Sequence, residues 1–231
     1  MLGYHWDFGF VFANAGYLLG GVLGMLRLAA GALALGAVLG LLIGLCRVSR
    51  RLLVRAAAIA YVGLFRNTPA VVQLLWLYYA LPILVGVQTG PFVAALLSFS
   101  LATAAYMAEI FRAGIESVGR GQWEAGRALG LGYFRLMRLV ILPQAVRRMV
   151  PAFTNQVIDV VKLTAISSMI AYGDLVYHAQ TLAEQEFRPI EAYTVLAILF
   201  SAILIPLSYL ATRVEHRFAR AERVRPASGR R

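Results

Sequence analysis

Long apolar runs alternate with short polar stretches along this chain, and the runs are filled on all sides rather than striped. A helix on the surface of a soluble domain would place polar residues at every third or fourth position. Five windows instead reach or approach the ~20 mostly apolar residues that cross a bilayer: 24–46, 56–81, 91–111, 148–171 and 192–212. The pattern predicts an all-α membrane protein with about five transmembrane helices in one domain over 24–212. Before it, residues 1–23 form an interfacial segment with Tyr4, Trp6, Phe8, Phe10 and Phe12. After it, residues 213–231 form a basic tail, and residues 113–147 form a polar island between the third and fourth windows.

Charge adds orientation. The chain has 22 Lys and Arg against 11 Asp and Glu, a net charge of +11. Nucleic-acid binding is one reading of that excess, but its placement follows the positive-inside rule. Arg47, Arg50, Arg51 and Arg55 follow the first window, seven arginines lie between Arg112 and Arg148, and the tail carries seven more from Arg213 on. The alternate loops are poor in base: none in 82–91, and Arg188 against four acids in 173–191. The N-terminus is therefore expected outside and the C-terminus in the cytoplasm. The arginines then serve topology and lipid headgroups, with no nucleic-acid partner. Residues 1–14 lack the basic start of a cleavable signal, so the first span is expected to stay as an anchor. The single cysteine, Cys46, excludes an internal disulfide.

The second window is interrupted at Arg66-Asn67-Thr68-Pro69. Pro69 lacks an N–H and pushes Thr68 out of the helical region, so an elbow helix to Phe65 and a true span from about Pro69 are predicted. In the first window Gly36, Gly40 and Gly44 recur every four residues and predict close helix packing. Glu109 and Arg112 end the third window three residues apart, as an interfacial ion pair or as part of a gate. The fourth window holds Asn155, Gln156, Asp159, Lys162, Thr164, Ser167 and Ser168. Asn155, Asp159 and Lys162 share a face, which reads either as an interhelical polar clamp or as the lining of a path for a zwitterion.

In the island, Gly121-Gln122-Trp123-Glu124-Ala125-Gly126 begins a short helix that Gly130 and Gly132 can end, and Ile141-Leu142-Pro143-Gln144 follows. Local ion pairs of Glu124 with Arg120 or Arg127 are available, as on any solvated helix. The whole series resembles the cytoplasmic Glu-Ala-Ala/Gly loop of bacterial ABC importer permeases. Leu64-Phe65-Arg66-Asn67-Thr68-Pro69, with Gln73 after it, resembles the Phe-Arg-Gly-Thr-Pro signature of the branch that imports polar amino acids, with Asn67 where that branch has Gly. Ala105-Tyr106-Met107-Ala108-Glu109, with Arg112, resembles the same branch, whereas Lys162-Leu163-Thr164-Ala165 departs from its Lys-Asp-Thr/Ser-Ser. Loss of that acid argues weakly against a cationic solute, since Asp159 lies one turn away.

The resemblance implies a type I ABC importer permease fold in the bacterial inner membrane, and a multi-pass subunit that carries no ATPase activity. The island becomes the coupling helix, with Gly121, Gln122, Trp123, Glu124, Ala125, Gly126, Gly130 and Pro143 as coupling residues. Trp123 would anchor in a partner cleft, and Gly126 and Gly130 would admit the partner's backbone. Asn67, Thr68, Glu109, Asn155, Asp159, Lys162, Thr164 and Ser167 become the candidate solute path. The implied partners are an ABC ATPase dimer that binds ATP and Mg2+, a second permease subunit, identical or paralogous, a periplasmic solute-binding protein, an amino acid substrate and membrane lipids. This chain has no cofactor of its own, and it lacks a Gly-x4-Gly-Lys-Ser/Thr loop. A self-contained ion-coupled transporter or channel is the alternative, with Asp159, Lys162 and Glu109 as ion sites. An intramembrane enzyme is disfavoured: His5, His178 and His216 are scattered at predicted loops and ends, and no catalytic or metal-ligating set forms.

Overall fold

The structure is a computed structural model and describes residues 5–49 and 51–223, with side chains to residue 218. Tyr4, Arg50 and the tail beyond residue 223 lie outside the described residues. A short helix α1 (Gly9–Ala13) leads into α2 (Ala15–Arg47), the elbow helix α3 (Leu52–Asn67), then α4 (Ala70–Leu75) and α5 (Leu81–Val85). Next come α6 (Pro91–Glu116), α7 (Arg120–Ala128), α8 (Tyr133–Leu136), α9 (Leu142–Leu163), α10 (Leu175–Gln185) and α11 (Pro189–Arg223). Among the described residues three helices are long and apolar enough to cross a membrane alone, α2, α6 and α11, and there are up to five spans if each of two bent pairs counts as one.

α2 starts earlier than its apolar window, so residues 15–23 are helix rather than part of an interfacial segment. Packing against α10 accounts for this. A Cβ at Gly21 would stand 2.9 Å from Leu175 Cα, and His178 Nδ1 lies 2.6 Å from the carbonyl of Tyr17 with the two rings stacked. His178 thereby ties α10 to α2. The glycine stripe of α2 lies on α6. A Cβ at Gly36 would meet Thr103 Cγ2 at 2.6 Å, one at Gly40 the Ala104 carbonyl at 2.9 Å, and one at Gly44 Phe111 Cβ at 3.3 Å. Contacts advance in the same direction on both helices, so α2 and α6 run parallel.

The second span is broken as expected. α3 and the α4–α5 segment meet at 105° across Thr68 and Pro69, with α3 continuing to Asn67. Residues 133–147 of the polar island are helical, because α8 passes through a π-helical turn (Met137–Ile141) straight into α9. The second span has the same device, a π-helical turn (Trp76–Ala80) before α5. Each turn is followed by Leu-Pro, Leu142-Pro143 and Leu81-Pro82, so the wider turn falls where the proline removes the next helical donor. α9 ends in a 3-10 turn (Thr164–Ile170) and bends by 46° into α10. The acidic loop read over 173–191 is therefore mostly α10, with Asp174 and Glu191 fully buried.

Two cores hold the fold. The larger joins Met25 and Leu28 of α2, Leu74 of α4, Phe99 of α6, Val160 of α9 and Leu175 of α10. The smaller, Val118, Leu136, Ile141, Ala145 and Met149, lies beneath α7.

Candidate functional site

α7 is seated on the smaller core by its apolar edge. Gly126 is its buried residue, and a Cβ there would run into Leu136 of α8. Trp123 is half-buried and packs on the same cluster. Within the chain, Gly126 admits α8, and the buried part of Trp123 anchors α7 to the smaller core. Gly130 faces open space and has φ +73°. Leu131 N–H donates to the Gly126 carbonyl at 3.1 Å and Gly130 N–H to that of Arg127 at 2.9 Å. That is the Schellman pairing, which needs a left-handed residue, so Gly130 stops the helix and leaves open space beside it. Gln122 accepts from Gln144 of α9 at 3.3 Å.

The outward side of α7 carries Gly121, Glu124, Ala125 and Arg127, all exposed. Glu124 makes no ion pair among the described residues. Beside it, Leu129, Tyr133 and Phe134 are 79%, 69% and 74% exposed, and Pro143 is exposed at the start of α9. Sequence reasoning passed over this apolar rim, although three large apolar residues in a polar island were its signal.

An open cavity of about 480 Å³ lies between the helix break, α6 and α9, inside the ~300–1,000 Å³ range of small-molecule sites. Asn67, Thr68 and Asp159 line it, as do Arg66, Gln73, Thr103, Tyr106 and Gln156, which were not assigned from sequence. Thr103 and Tyr106 lie three apart on α6, and Gln156 and Asp159 three apart on α9, a spacing that points them to one side. A second cavity of about 290 Å³ shares Arg66, Tyr106 and Gln156 with the first and contains Glu109.

Other expected path residues lie elsewhere. Asn155 and Lys162 are exposed and line neither cavity. Lys162 forms no ion pair with Asp159 among the described residues. Thr164 and Ser167 are fully buried. Thr164 Oγ1 donates to the Val161 carbonyl at 2.8 Å, and Ser167 Oγ to the Thr164 carbonyl at 2.6 Å and to Asp174 Oδ2 at 3.1 Å. The bend into α10 turns both hydroxyls inward, where they secure the turn.

Gln73 explains how the break survives. Pro69 offers no N–H to the Phe65 carbonyl, and the Val72 N–H goes to the Pro69 carbonyl instead of to Thr68. Gln73 Nε2 replaces both donors, at 2.9 Å to Phe65 O and 2.8 Å to Thr68 O. Both partners accept, so the amide orientation is dictated. Gln73→Leu should leave two part-buried carbonyls unpaired, at about 1–3 kcal/mol each, and lower the melting temperature of the purified permease. An unchanged melting temperature would contradict this closure. The other end of the amide, Oε1, is buried without a hydrogen-bond partner in the cavity wall, as is Thr103 Oγ1.

Glu109 gathers arginines from three helices. Arg47 of α2 and Arg112 of α6 bond directly to it, Arg66 of α3 approaches to 3.8 Å, and Arg112 also pairs with Glu116. Among the described residues no three His, Cys, Asp or Glu side chains gather at a metal site.

A broken second span, a short helix seated on its own small core, and a polar cavity between membrane helices define the membrane-spanning permease subunit of an ABC importer. Residues 36–220 match the model of the binding-protein-dependent transport system inner membrane component family, and the chain belongs to that family. It is 35% identical to a putative glutamine transport system permease protein of Rickettsia bellii, covering 86% of this chain and 91% of that one. It is 32% identical to the arginine transport system permease protein of Bacillus subtilis, covering 91% and 96%. It also superposes on a chain from the crystal structure of an amino acid ABC transporter with histidines, at a TM-score of 0.89 and 32% identity, covering 93% and 100%.

Proposed function

We propose that this chain lines half of the path of an ATP-driven importer for a polar or charged amino acid. A periplasmic binding protein delivers the solute, and a separate ATPase dimer binds ATP and Mg2+. The second half of the path comes from another permease subunit, identical or paralogous. The assembly sits in the bacterial inner membrane with the N-terminus of this chain periplasmic and the tail cytoplasmic. The chain itself has no catalytic residue and no cofactor. α7 with its rim of Leu129, Tyr133 and Phe134 receives the ATPase, and its movement repositions α8 and α9 through Gly126 and Leu136.

The observation that carries the solute class is the cavity wall. It combines a carboxylate, Asp159, and a guanidinium, Arg66, with the polar side chains of Asn67, Thr68 and Gln156. Such a wall matches a zwitterion with further hydrogen-bonding groups. Relatives named for glutamine and arginine transport support the same class. Coupling requires that the solute and ATP each favour one of two states of this path.

The test is purification from the native membrane followed by reconstitution into liposomes. Recovery of an ATPase with this chain, and uptake of labelled glutamine or arginine only with ATP inside the ATPase-facing compartment, is the expected result. Purification of this chain alone, still transporting down an ion gradient, would overturn the reading.

A further inference from the structure

The two cavities meet at Arg66, Tyr106 and Gln156, and Arg66 is the only charged member of that neck. It stands in the last turn of α3, one helical residue before the break. Its guanidinium carbon lies 5.4 Å from the centre of the Tyr106 ring, and its Nη1 stops 3.8 Å from Glu109 Oε2, beyond hydrogen-bond reach. The carboxylate it approaches is already engaged. Arg47 holds Oε2, and Arg112 holds Oε1 through two nitrogens.

The cluster of Arg47, Arg66 and Arg112 with Glu109 and Glu116 carries three cations against two anions. The surplus falls on Arg66, because its side chain is 41% exposed while those of Arg47 and Arg112 are 14% and 29% exposed and directly bonded. A guanidinium is a rigid fork suited to a carboxylate. Among the described residues Arg66 has only a ring face and a distant, shared carboxylate.

We propose that Arg66 is a carboxylate-binding gate at the neck between the two cavities. With the neck at rest, Arg66 leans on Tyr106 toward Glu109. A solute in the first cavity presents its α-carboxylate, and Arg66 leaves Glu109 to pair with it, while Asp159 on the facing helix receives the ammonium. As the solute moves to the second cavity, Glu109 recovers Arg66 and competes the solute off. Glu109 is thus an internal stand-in for the solute's carboxylate. This assignment rests on reading the cavity as an amino acid path.

The experiment is equilibrium binding to the intact permease–ATPase complex in nanodiscs without binding protein, using glutamine, arginine and their α-amides. Wild type is expected to bind at least one amino acid more tightly than its α-amide by roughly ten- to a hundredfold, the worth of a hydrogen bond to a charged group in an equilibrium constant. Arg66→Gln is expected to erase that preference by weakening the amino acid and not the amide. Arg66→Lys, which keeps the charge and loses the fork, is expected to retain part of it. Co-elution of each variant with the ATPase checks that it folds. If Arg66→Gln weakens both ligands equally, or keeps the preference, the gate is wrong and the amino acid path stands. If wild type binds neither amino acid, both fall.

Discussion

Gly126→Leu is expected to abolish ATP-driven uptake while leaving insertion of the permease in the membrane intact. The reason is the seat of α7. Gly126 is buried, and the space a side chain would need is filled by Leu136. The far end of Leu136 is packed into the smaller core with Val118, Ile141, Ala145 and Met149, so it has little room to give. Overpacking of this kind costs about 1–3 kcal/mol, enough to lift a nine-residue helix off its support but not to unfold α2, α6 or α11. Under the proposed coupling role, a lifted α7 would no longer transmit displacement to α8 and α9. Uptake into proteoliposomes and solute-stimulated ATP hydrolysis measure the effect, with Gly126→Ala falling between. Gly121→Ala is the contrast, because nothing lies within 4 Å of Gly121 inside the chain. Normal transport by Gly126→Leu would mean that α7 does not act as a rigid lever.

Glu109→Gln is expected to destabilise the permease strongly. The substitution removes the one negative charge held in common by Arg47 and Arg112 and approached by Arg66. Arg47 is mostly buried, and its Nε already lacks a hydrogen-bond partner. Breaking a buried pair from one side costs about 3–5 kcal/mol, since the remaining cation stays desolvated. Partial exposure of Glu109 places the expected loss at the lower end of that range. Thermal unfolding of the purified complex measures it. Arg47→Met combined with Glu109→Gln should recover part of the loss, because the stranded charge is gone. A melting temperature unchanged in Glu109→Gln would show that solvent, and not the arginines, sets the state of this carboxylate.

Much of the fold is written in local features. Apolar length marked the spans, Thr68-Pro69 marked the break, and Gly130 marked the end of α7, since each depends on a residue or a short run acting on its own backbone. The helix over residues 133–147 was not legible within the polar island, because arginines interrupt its apolar pattern. The smaller core buries only Leu136, Ile141 and Ala145 of that stretch, which a hydropathy window averages away. Residues 15–23 were misread for the converse reason, because contact with α10 rather than apolar length extends α2.

Sequence alone determined the class of protein: membrane helices, one elbow, a polar island of helical pattern and a polar fourth span. Tertiary structure decided which side of each helix those residues use. Arg47 and Glu109 are 62 positions apart and meet only because the glycines of α2 let it lie against α6. Arg66 reaches the same place because α3 turns by 105° into α4 at the Gln73 closure. Asp159 faces the cavity, whereas Thr164 and Ser167, little more than one and two turns further, close a bend instead. A backbone preference acts over a few residues and can be read from neighbours in the chain. A charge cluster or a cavity exists only between segments, and the packing that brings the segments together is what creates it.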